Sequence, residues 1–226
     1  MPLTPLADGL WCEDRLISLP AGLKMPIRMT VMRGADGALT LVSPVRFDEA
    51  LAAEVSKLGE VRSIVGPNLY HHLFLRSALE HFPKAELFLA PGLAEKRAQL
   101  PASHVLGGSE RAFDSAILPI VVAGAPKMSE VVFVHEPSRT LVVTDLLFNI
   151  RKPETLSTAF YLSISGTRGK LAQSRAWRFL VSDRAAHRAS LDALLGRPLE
   201  RLVMAHGEVL TAADAGSLAT RALLGW

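Results

Sequence analysis

The pattern of apolar and polar positions predicts alternating strands and helices along the first half of the chain. Residues 27–32 and 39–42 are apolar runs on either side of a glycine-containing turn, which predicts a hairpin. From residue 47 to 58 apolar side chains recur every three or four positions, and Gly59 follows, which predicts a helix that ends there. Residues 61–65 form an apolar run before Gly66, Pro67 and Asn68, which predicts a buried strand that ends in a polar turn.

The pattern beyond this turn continues the alternation and then changes. A helix at 73–82, a strand at 86–90 and a charged helix at 93–99 follow, an order that favours parallel strands with crossover helices. The second half is rich in strands and then in helices: strands at 117–122, 131–135, 140–144 and 199–204, a mostly helical stretch at 154–195 with a break at Gly166 and Gly169, and a last helix at 212–224. The two halves share an outline, and we expect residues 1–226 to form one α/β (α+β) domain.

The composition indicates a soluble globular protein. Hydrophobic residues make up 49% and charged residues 21% of the 226 positions, and the formal net charge is +3. This mildly basic balance does not indicate a nucleic-acid-binding protein, so we expect no nucleic acid as partner. A modest basic cluster lies between Arg168 and Arg188, and it is either a solvated face or a docking surface for an anionic substrate.

The cysteine count and the termini favour the cytoplasm. Cys12 is the one cysteine, so no internal disulfide can form and nothing indicates secretion. The first residues lack the basic and apolar regions of a signal peptide. No uncharged apolar run approaches the 18 or so residues of a membrane span, so we also expect no membrane partner.

Four residues that could carry chemistry end or immediately follow predicted strands: His71, His72, Asp145 and His206. Imidazole and carboxylate are the usual ligands of zinc, iron and manganese, and strand ends can converge at one edge of a sheet. Taken singly, each has an ordinary structural explanation, such as a buried histidine or an aspartate that caps a helix. Adjacent histidines point to different sides in regular structure, so His71 and His72 share one ion only in a turn.

The same residues carry a resemblance to the metallo-β-lactamase superfamily, and more closely to an uncharacterised branch of it, a domain of unknown function. The superfamily motif His-x-His-x-Asp-His falls on residues 67–72, where Pro67 and Leu69 replace the first two histidines. His71 replaces the aspartate, and His72 is retained. Asp145 matches the aspartate that usually follows a glycine at a strand end, and His206, followed by glycine, matches the final histidine.

The resemblance covers nearly the whole chain and implies a four-layer αββα sandwich. It also implies that one of two metal sites is lost, because both early histidines and the one expected near residues 125–126 are missing. The surviving positions are His71, His72, Asp145 and His206. With imidazole in place of a carboxylate, this set suits zinc better than magnesium, and iron or manganese are the alternatives.

These residues lead to two functional hypotheses. One is a mononuclear metal-dependent hydrolase of a small-molecule substrate, in which Asp145 is either a fourth ligand or the general base. The other is a metal-free, non-catalytic binding protein that keeps the fold, in which the same side chains are structural.

Weaker candidates surround the predicted site. Asn68 would orient a ligand or shape its turn, and Arg139 and Asn149 would meet a substrate or remain solvated. The helical stretch at 154–195 is the expected place for a lid or for the contact of a homodimer, by analogy with the superfamily alone.

Overall fold

The computed structural model describes residues 3–107 and 113–224, and within them the chain forms two sheets. The strands of the first sheet are β1 (Thr4–Ala7), β2 (Leu10–Leu19), β3 (Leu23–Arg33), β4 (Leu39–Val42), β5 (Val61–Gly66), β6 (Glu86–Leu89) and β7 (His104–Val105). Those of the second are β8 (Ile117–Val121), β9 (Val131–His135), β10 (Thr140–Asn149), β11 (Arg201–Gly207) and β12 (Leu210–Thr211). The helices are α1 (Glu49–Leu58), α2 (Leu75–His81), α3 (Leu93–Lys96), α4 (Leu156–Ser165), α5 (Arg175–Phe179), α6 (Arg184–Leu195) and α7 (Ala215–Leu224).

The first sheet follows chain order from β1 to β7. Strands β1 to β4 are antiparallel neighbours, and the pairs from β4 to β7 are parallel, with α1, α2 and α3 in the crossovers. The predicted hairpin and the predicted strand–helix alternation are therefore both present. Parallel pairing places the carboxyl ends of β4, β5 and β6 at one edge of the sheet, which is where α/β proteins bind ligands.

The second sheet has the order β12-β11-β10-β9-β8. Only β10 and β11 pair in parallel among its described strands, and the other neighbours are antiparallel. The predicted hairpin between β9 and β10 is present, with a 3-10 turn at Glu136–Ser138.

Helices cover the outer face of each sheet, which confirms the four-layer αββα sandwich. Leu51 of α1 and Leu75 of α2 pack with the first sheet, while Trp177 of α5 and Leu191 of α6 pack with the second. A third cluster of buried residues lies between the sheets and contains side chains from both. Its members include Leu10, Met32, Val42, Val65, Phe88, Phe133, Val142 and Val203. Burial of these inward faces is the main stabilising contribution to the fold.

Three elements differ from the sequence-based expectation. Strand β2 runs for ten residues, Leu10–Leu19, whereas the sequence of residues 1–24 predicts only a lead-in with a short strand near Leu10 and Trp11. Strand β10 continues to Asn149, so Asp145 lies inside it and not at its end. The charged segment after β6 forms only one helical turn, α3. No helix in the described parts of the chain has the length and apolar character needed to cross a membrane.

Candidate metal centre

Three of the predicted ligands meet between the two sheets: His71, Asp145 and His206. The Nε2 atoms of His71 and His206 lie 3.2 Å apart. The Nε2 atom of His71 is 3.4 Å from Asp145 Oδ2, and that of His206 is 3.3 Å from Asp145 Oδ1. Two ligands on one tetrahedral zinc, each about 2.0–2.1 Å from the ion, lie about 3.3–3.4 Å apart. Charge-assisted hydrogen bonds are shorter, at about 2.7–2.9 Å.

Asp145 reaches this point because the register of β10 and β11 breaks around it. Val143 pairs with Met204 and Phe148 pairs with His206, so β10 uses five residues where β11 uses two. The extra residues of β10 form a bulge, and bulges re-aim side chains. The irregularity places the Asp145 carboxylate beside a histidine of the neighbouring strand.

His71 is fixed by the loops after β4 and β5. Its Nδ1 lies 2.7 Å from the hydroxyl of Ser43, a buried residue just after β4 with a φ of 54°. Its backbone N–H donates to the side-chain oxygen of Asn68 at 2.8 Å. Both contacts leave the Nε2 atom of His71 directed at His206 and Asp145.

His206 has a defined tautomer when its ring is neutral. Its Nδ1 lies 2.7 Å from the carbonyl oxygen of Pro26, which can only accept, so Nδ1 carries the proton. The Nε2 atom then presents its lone pair to the centre. The ring also stacks on Phe148, with centroids 4.9 Å apart and an interplanar angle of 11°. A second hydrogen bond of this kind is typical of histidines that bind metals.

The side chain of Asn68 makes four hydrogen bonds that fix the loop carrying His71. Its side-chain oxygen accepts from the backbone N–H groups of Tyr70 and His71, both at 2.8 Å. Its amide nitrogen donates to Asp145 Oδ2 at 2.8 Å and to Thr144 Oγ1 at 2.9 Å. Because Asn68 is fully buried, it orients the ligands and does not present a group to substrate.

The buried carboxyl group of Glu130 fixes Thr144, the residue that precedes Asp145. Glu130 Oε1 accepts from the backbone N–H of Thr144 at 2.8 Å and from its hydroxyl at 3.0 Å, and Oε2 accepts from Trp177 Nε1 at 3.3 Å. Burial and the nearby charge of Asp145 raise the pKa of the Glu130 carboxyl to about 7.

The Asp145 carboxyl has the opposite shift. Burial would raise its pKa, but the adjacent His71 and His206 rings hold the pKa well below its usual range. Asp145 is therefore ionised and acceptor-only at neutral pH. That state suits a metal ligand and makes the carboxylate a weak base.

The fourth predicted ligand, His72, is not brought into the group. Its ring nitrogens lie 3.2 and 3.3 Å from Arg97 Nε, because neighbouring side chains in this turn point in different directions. Burial and the positive charges of Arg97 and Lys96 lower the pKa of His72 to about 4. His72 nevertheless lines the same cavity as the three grouped residues.

The three residues lie at the base of a cavity of about 280 Å³. Its walls are mostly apolar and come from both sheets, from the loop after β5 and from α4: Leu19, Met25, Ile27, Leu73, Phe148 and Tyr161. Burial and the charge of Asp145 raise the pKa of Tyr161, so its hydroxyl remains a neutral donor at physiological pH. An apolar cavity with a few polar groups at its base is the usual form of a small-molecule site.

The two other predicted substrate residues lie outside this cavity. Arg139 sits in the turn before β10, at the opposite end of the strand from Asn149, and pairs with Glu200 at 2.7 Å. Asn149 is buried and donates to the carbonyl oxygen of Glu208 at 2.8 Å. Neither residue lines the cavity: Arg139 belongs to the turn before β10 and Asn149 is the last residue of that strand, so we do not assign them to substrate.

Sequence reasoning missed the groups that orient the ligands. Ser43, Pro26 and Glu130 are distant in sequence from the residues that they contact, and the Pro26 contact uses a backbone atom. Tyr161 lay in a stretch that was expected only to be a lid or a dimer contact. No local motif identifies any of the four, since their positions depend on how the two sheets pack.

The comparisons with known proteins agree with this fold. The family model described as Domain of unknown function (DUF4336) matches residues 7–176. The chain belongs to this family. It is similar to the metallo-β-lactamase from Pontibacter korlensis, with a TM-score of 0.67 and 13% identity over 98% of this chain and 96% of the other. The DUF4336 chain is thus a metallo-β-lactamase-fold protein, as the motif resemblance implied.

Two further solved structures have the same fold. The metallo-β-lactamase from Erythrobacter litoralis with β-mercaptoethanol in the active site has a TM-score of 0.66 and 14% identity, over 99% of this chain and 96% of the other. FIM-1 from Pseudomonas aeruginosa in the mono-zinc form has a TM-score of 0.63 and 12% identity, over 100% of this chain and 96% of the other. At these identities the likeness establishes the fold alone. None of the curated proteins compared with the DUF4336 chain matches it.

Proposed function

We propose that this DUF4336 protein is a mononuclear metal-dependent hydrolase whose metal is held by His71, Asp145 and His206. The observation that carries the proposal is the spacing of the three ligand atoms, 3.2–3.4 Å, which matches the edge of a coordination tetrahedron. Three protein ligands leave a coordination position open, which is the pattern of catalytic and not of structural zinc sites.

The chemistry of the donor set also fits a divalent metal. Two imidazoles and one ionised carboxylate suit zinc, and the same set also serves Fe(II). The Nδ1 atoms of both histidines are already engaged, by Ser43 and by the Pro26 carbonyl oxygen, so Nε2 is the nitrogen of each ring that remains for a metal. When bound, a divalent metal supplies Lewis acidity and activates water near neutral pH.

The residues around the ligands bind and orient the substrate. The apolar walls accommodate an uncharged or acyl-like group and exclude bulk water. The hydroxyl of Tyr161, a residue that lines the cavity, would donate a hydrogen bond to an oxygen of the bound substrate. The weakly basic Asp145 acts as a ligand, so we do not assign it the role of general base.

A substrate screen tests the hydrolase proposal. Zinc-loaded and chelator-treated protein would be assayed with an ester, a thioester, a lactone and a phosphodiester. We expect turnover of at least one class that chelation abolishes, and Tyr161→Phe should lower kcat by about 10-fold or more through the lost donor. Zinc-loaded protein without turnover of any class would overturn the enzymatic part and favour a non-catalytic binding protein.

A further inference from the structure

Helix α4 exposes large apolar side chains along one side, although Leu162 on its other side is buried in a core cluster. Its exposed positions include Leu156, Phe160 and Ile164, with exposed fractions of 90, 68 and 58%. The buried side contains Thr158, Ala159, Leu162 and Ser165. The three exposed residues are spaced by four positions, so they form one stripe along the helix.

A further exposed apolar side chain lies on α5, the helix that begins beside the end of α4. Arg175 Nη1 donates to the carbonyl oxygen of Ile164 at 3.1 Å, which places the start of α5 against the end of α4. Phe179 lies one turn further along the same face of α5 and is 88% exposed. Contiguous exposed apolar surface of this kind marks an interaction site.

Basic side chains surround the stripe. Residues 151–179 contain six Lys or Arg and one acidic residue, a net charge of +5, whereas the whole chain has a net charge of +3. Arg168 Nη1 lies 3.3 Å from the hydroxyl of Ser163 on α4, and Arg151 Nη1 donates to the carbonyl oxygen of Gly169 at 3.1 Å. These contacts hold the positive charges beside the apolar stripe.

Five of the basic residues around the stripe lack an acidic partner among the described residues. Five of the six basic residues are exposed, and within residues 3–107 and 113–224 none of the five pairs with a carboxylate: Arg151, Lys152, Arg168, Lys170 and Arg175. Their hydrogen bonds go to carbonyl or hydroxyl oxygens, which leaves their charge uncompensated. The surface is therefore apolar at its centre and strongly positive around it.

We propose that this surface, the α4 face, docks on the anionic surface of a lipid bilayer. Apolar side chains at the centre of a basic surface are the features by which peripheral proteins insert at the headgroup level and attract anionic lipids. A second copy of the chain is a poorer occupant, because a two-fold contact through this face would oppose the same positive charges. The α4 face comprises Leu156, Phe160, Ile164, Phe179 and the five exposed basic residues named above.

The α4 face also adjoins the candidate metal centre. Tyr161, next to Phe160 on α4, lines the cavity above His71, Asp145 and His206. Docking would therefore bring the cavity close to the bilayer surface. The proposal does not depend on metal or on hydrolysis. It departs from the expectation of no membrane partner, which considered only spanning segments.

Vesicle co-sedimentation of the full chain tests the proposal. The probes are vesicles of phosphatidylcholine alone and of phosphatidylcholine with phosphatidylserine. We expect binding to the mixed vesicles only, and weaker binding as salt is raised. The paired change Arg168→Gln with Lys170→Gln should weaken binding about 25-fold, since each charge contributes about fivefold near an anionic surface. The matched control, Lys84→Gln with Lys127→Gln, removes the same charge elsewhere and should bind like the wild type.

The apolar part is tested separately with Phe160→Ser and Ile164→Ser. These exposed residues can change without loss of the fold, which circular dichroism would verify, and we expect vesicle binding to fall by about 10-fold or more. If the Lys84 and Lys127 control lost as much vesicle binding as the Arg168 and Lys170 variant, the assignment of binding to the α4 face would be overturned. Absence of vesicle binding, together with a dimer that Phe160→Ser dissociates, would assign the α4 face to a second copy instead.

Discussion

The Nε2 atoms of His71 and His206 lie 3.2 Å apart although 135 positions separate the two residues in the chain. One belongs to the loop after β5 of the first sheet and the other to β11 of the second. Their approach therefore depends on how the two sheets pack face to face. The Nδ1 atom of each ring contacts a group on another part of the chain, Ser43 for His71 and the Pro26 carbonyl oxygen for His206. These contacts orient the two rings independently of their contact with each other.

The Ser43 hydroxyl is predicted to tune the affinity for metal. It contacts His71 Nδ1 at 2.7 Å, and the loss of such a partner typically costs 10–100-fold in metal affinity. Ser43→Ala should therefore weaken zinc binding by about 10-fold or more, measured by competition with a chromophoric chelator. Ser129→Ala is the matched control, because Ser129 is also a buried serine with a positive φ. Equal affinity of the two variants would contradict the role of Ser43.

Gly207 is predicted to be irreplaceable. Its φ is +107°, and a Cβ added there would lie 2.3 Å from the backbone carbonyl carbon of Asn149. Gly207→Ala should lower the free energy of unfolding by about 3 kcal/mol or more, because backbone of β10 would have to move. Gly169→Ala is the control: its φ is +69°, nothing lies within 4 Å of the added Cβ, and only the conformational cost applies. The free energy of unfolding of both variants would be measured in urea. Similar losses in Gly207→Ala and Gly169→Ala would contradict the prediction.

Substitutions at Glu130 and Trp177 are predicted to have coupled effects on the free energy of unfolding. Glu130 Oε2 accepts from Trp177 Nε1, and Oε1 accepts from Thr144, so every described partner is a donor. At about pH 8, above the raised pKa of Glu130, the carboxylate only accepts, so Glu130→Gln would place an amide donor against one of these donors and should cost about 1–3 kcal/mol. Trp177→Phe removes the opposing indole N–H, so the double variant should lose less than the sum of the single losses. Additive losses in urea unfolding would contradict this account.

His187 is predicted to make the fold sensitive to acid. Its ring lies 4.9 Å from that of Trp177, and burial lowers its pKa below the ordinary value of 6.5. Because the unfolded chain takes up the proton more readily, stability contributed by neutral His187 is lost as pH falls below about 6.5. His187→Phe should reduce the dependence of the unfolding free energy on pH between about 7.5 and 5 by up to one proton. An unchanged slope would contradict the prediction.

Much of the fold could be predicted because local patterns and the final structure agree. The stripe that begins near Phe47 became α1, with Asp48 as its N-cap, and the apolar run before Gly66 became β5. The motif resemblance then supplied the layer order, which no single element contains. Strand β2 was underestimated because its outer half alternates between exposed and half-buried positions and carries charged residues.

The candidate site was predictable only in part, for a physical reason. Ligand type and position near strand ends predicted His71, Asp145 and His206, and the structure groups these three side chains. The exclusion of His72 depends on the rotation of one turn, which sequence does not specify, and its ring contacts Arg97. The bulge that directs Asp145 depends on pairing with β11, about 60 residues away, so its position inside the strand could not be read locally.

The most direct test of the proposed metal centre is elemental analysis of purified protein, with His71→Ala compared against its neighbour His72→Ala. Both variants remove an imidazole from the same turn, and both residues line the same cavity, but only His71 lies with Asp145 and His206. We predict about one equivalent of zinc in the wild type and in His72→Ala, and none in His71→Ala or His206→Ala. Loss of metal in His72→Ala, or no metal in the wild type even after reloading with zinc, iron or manganese, would contradict the account.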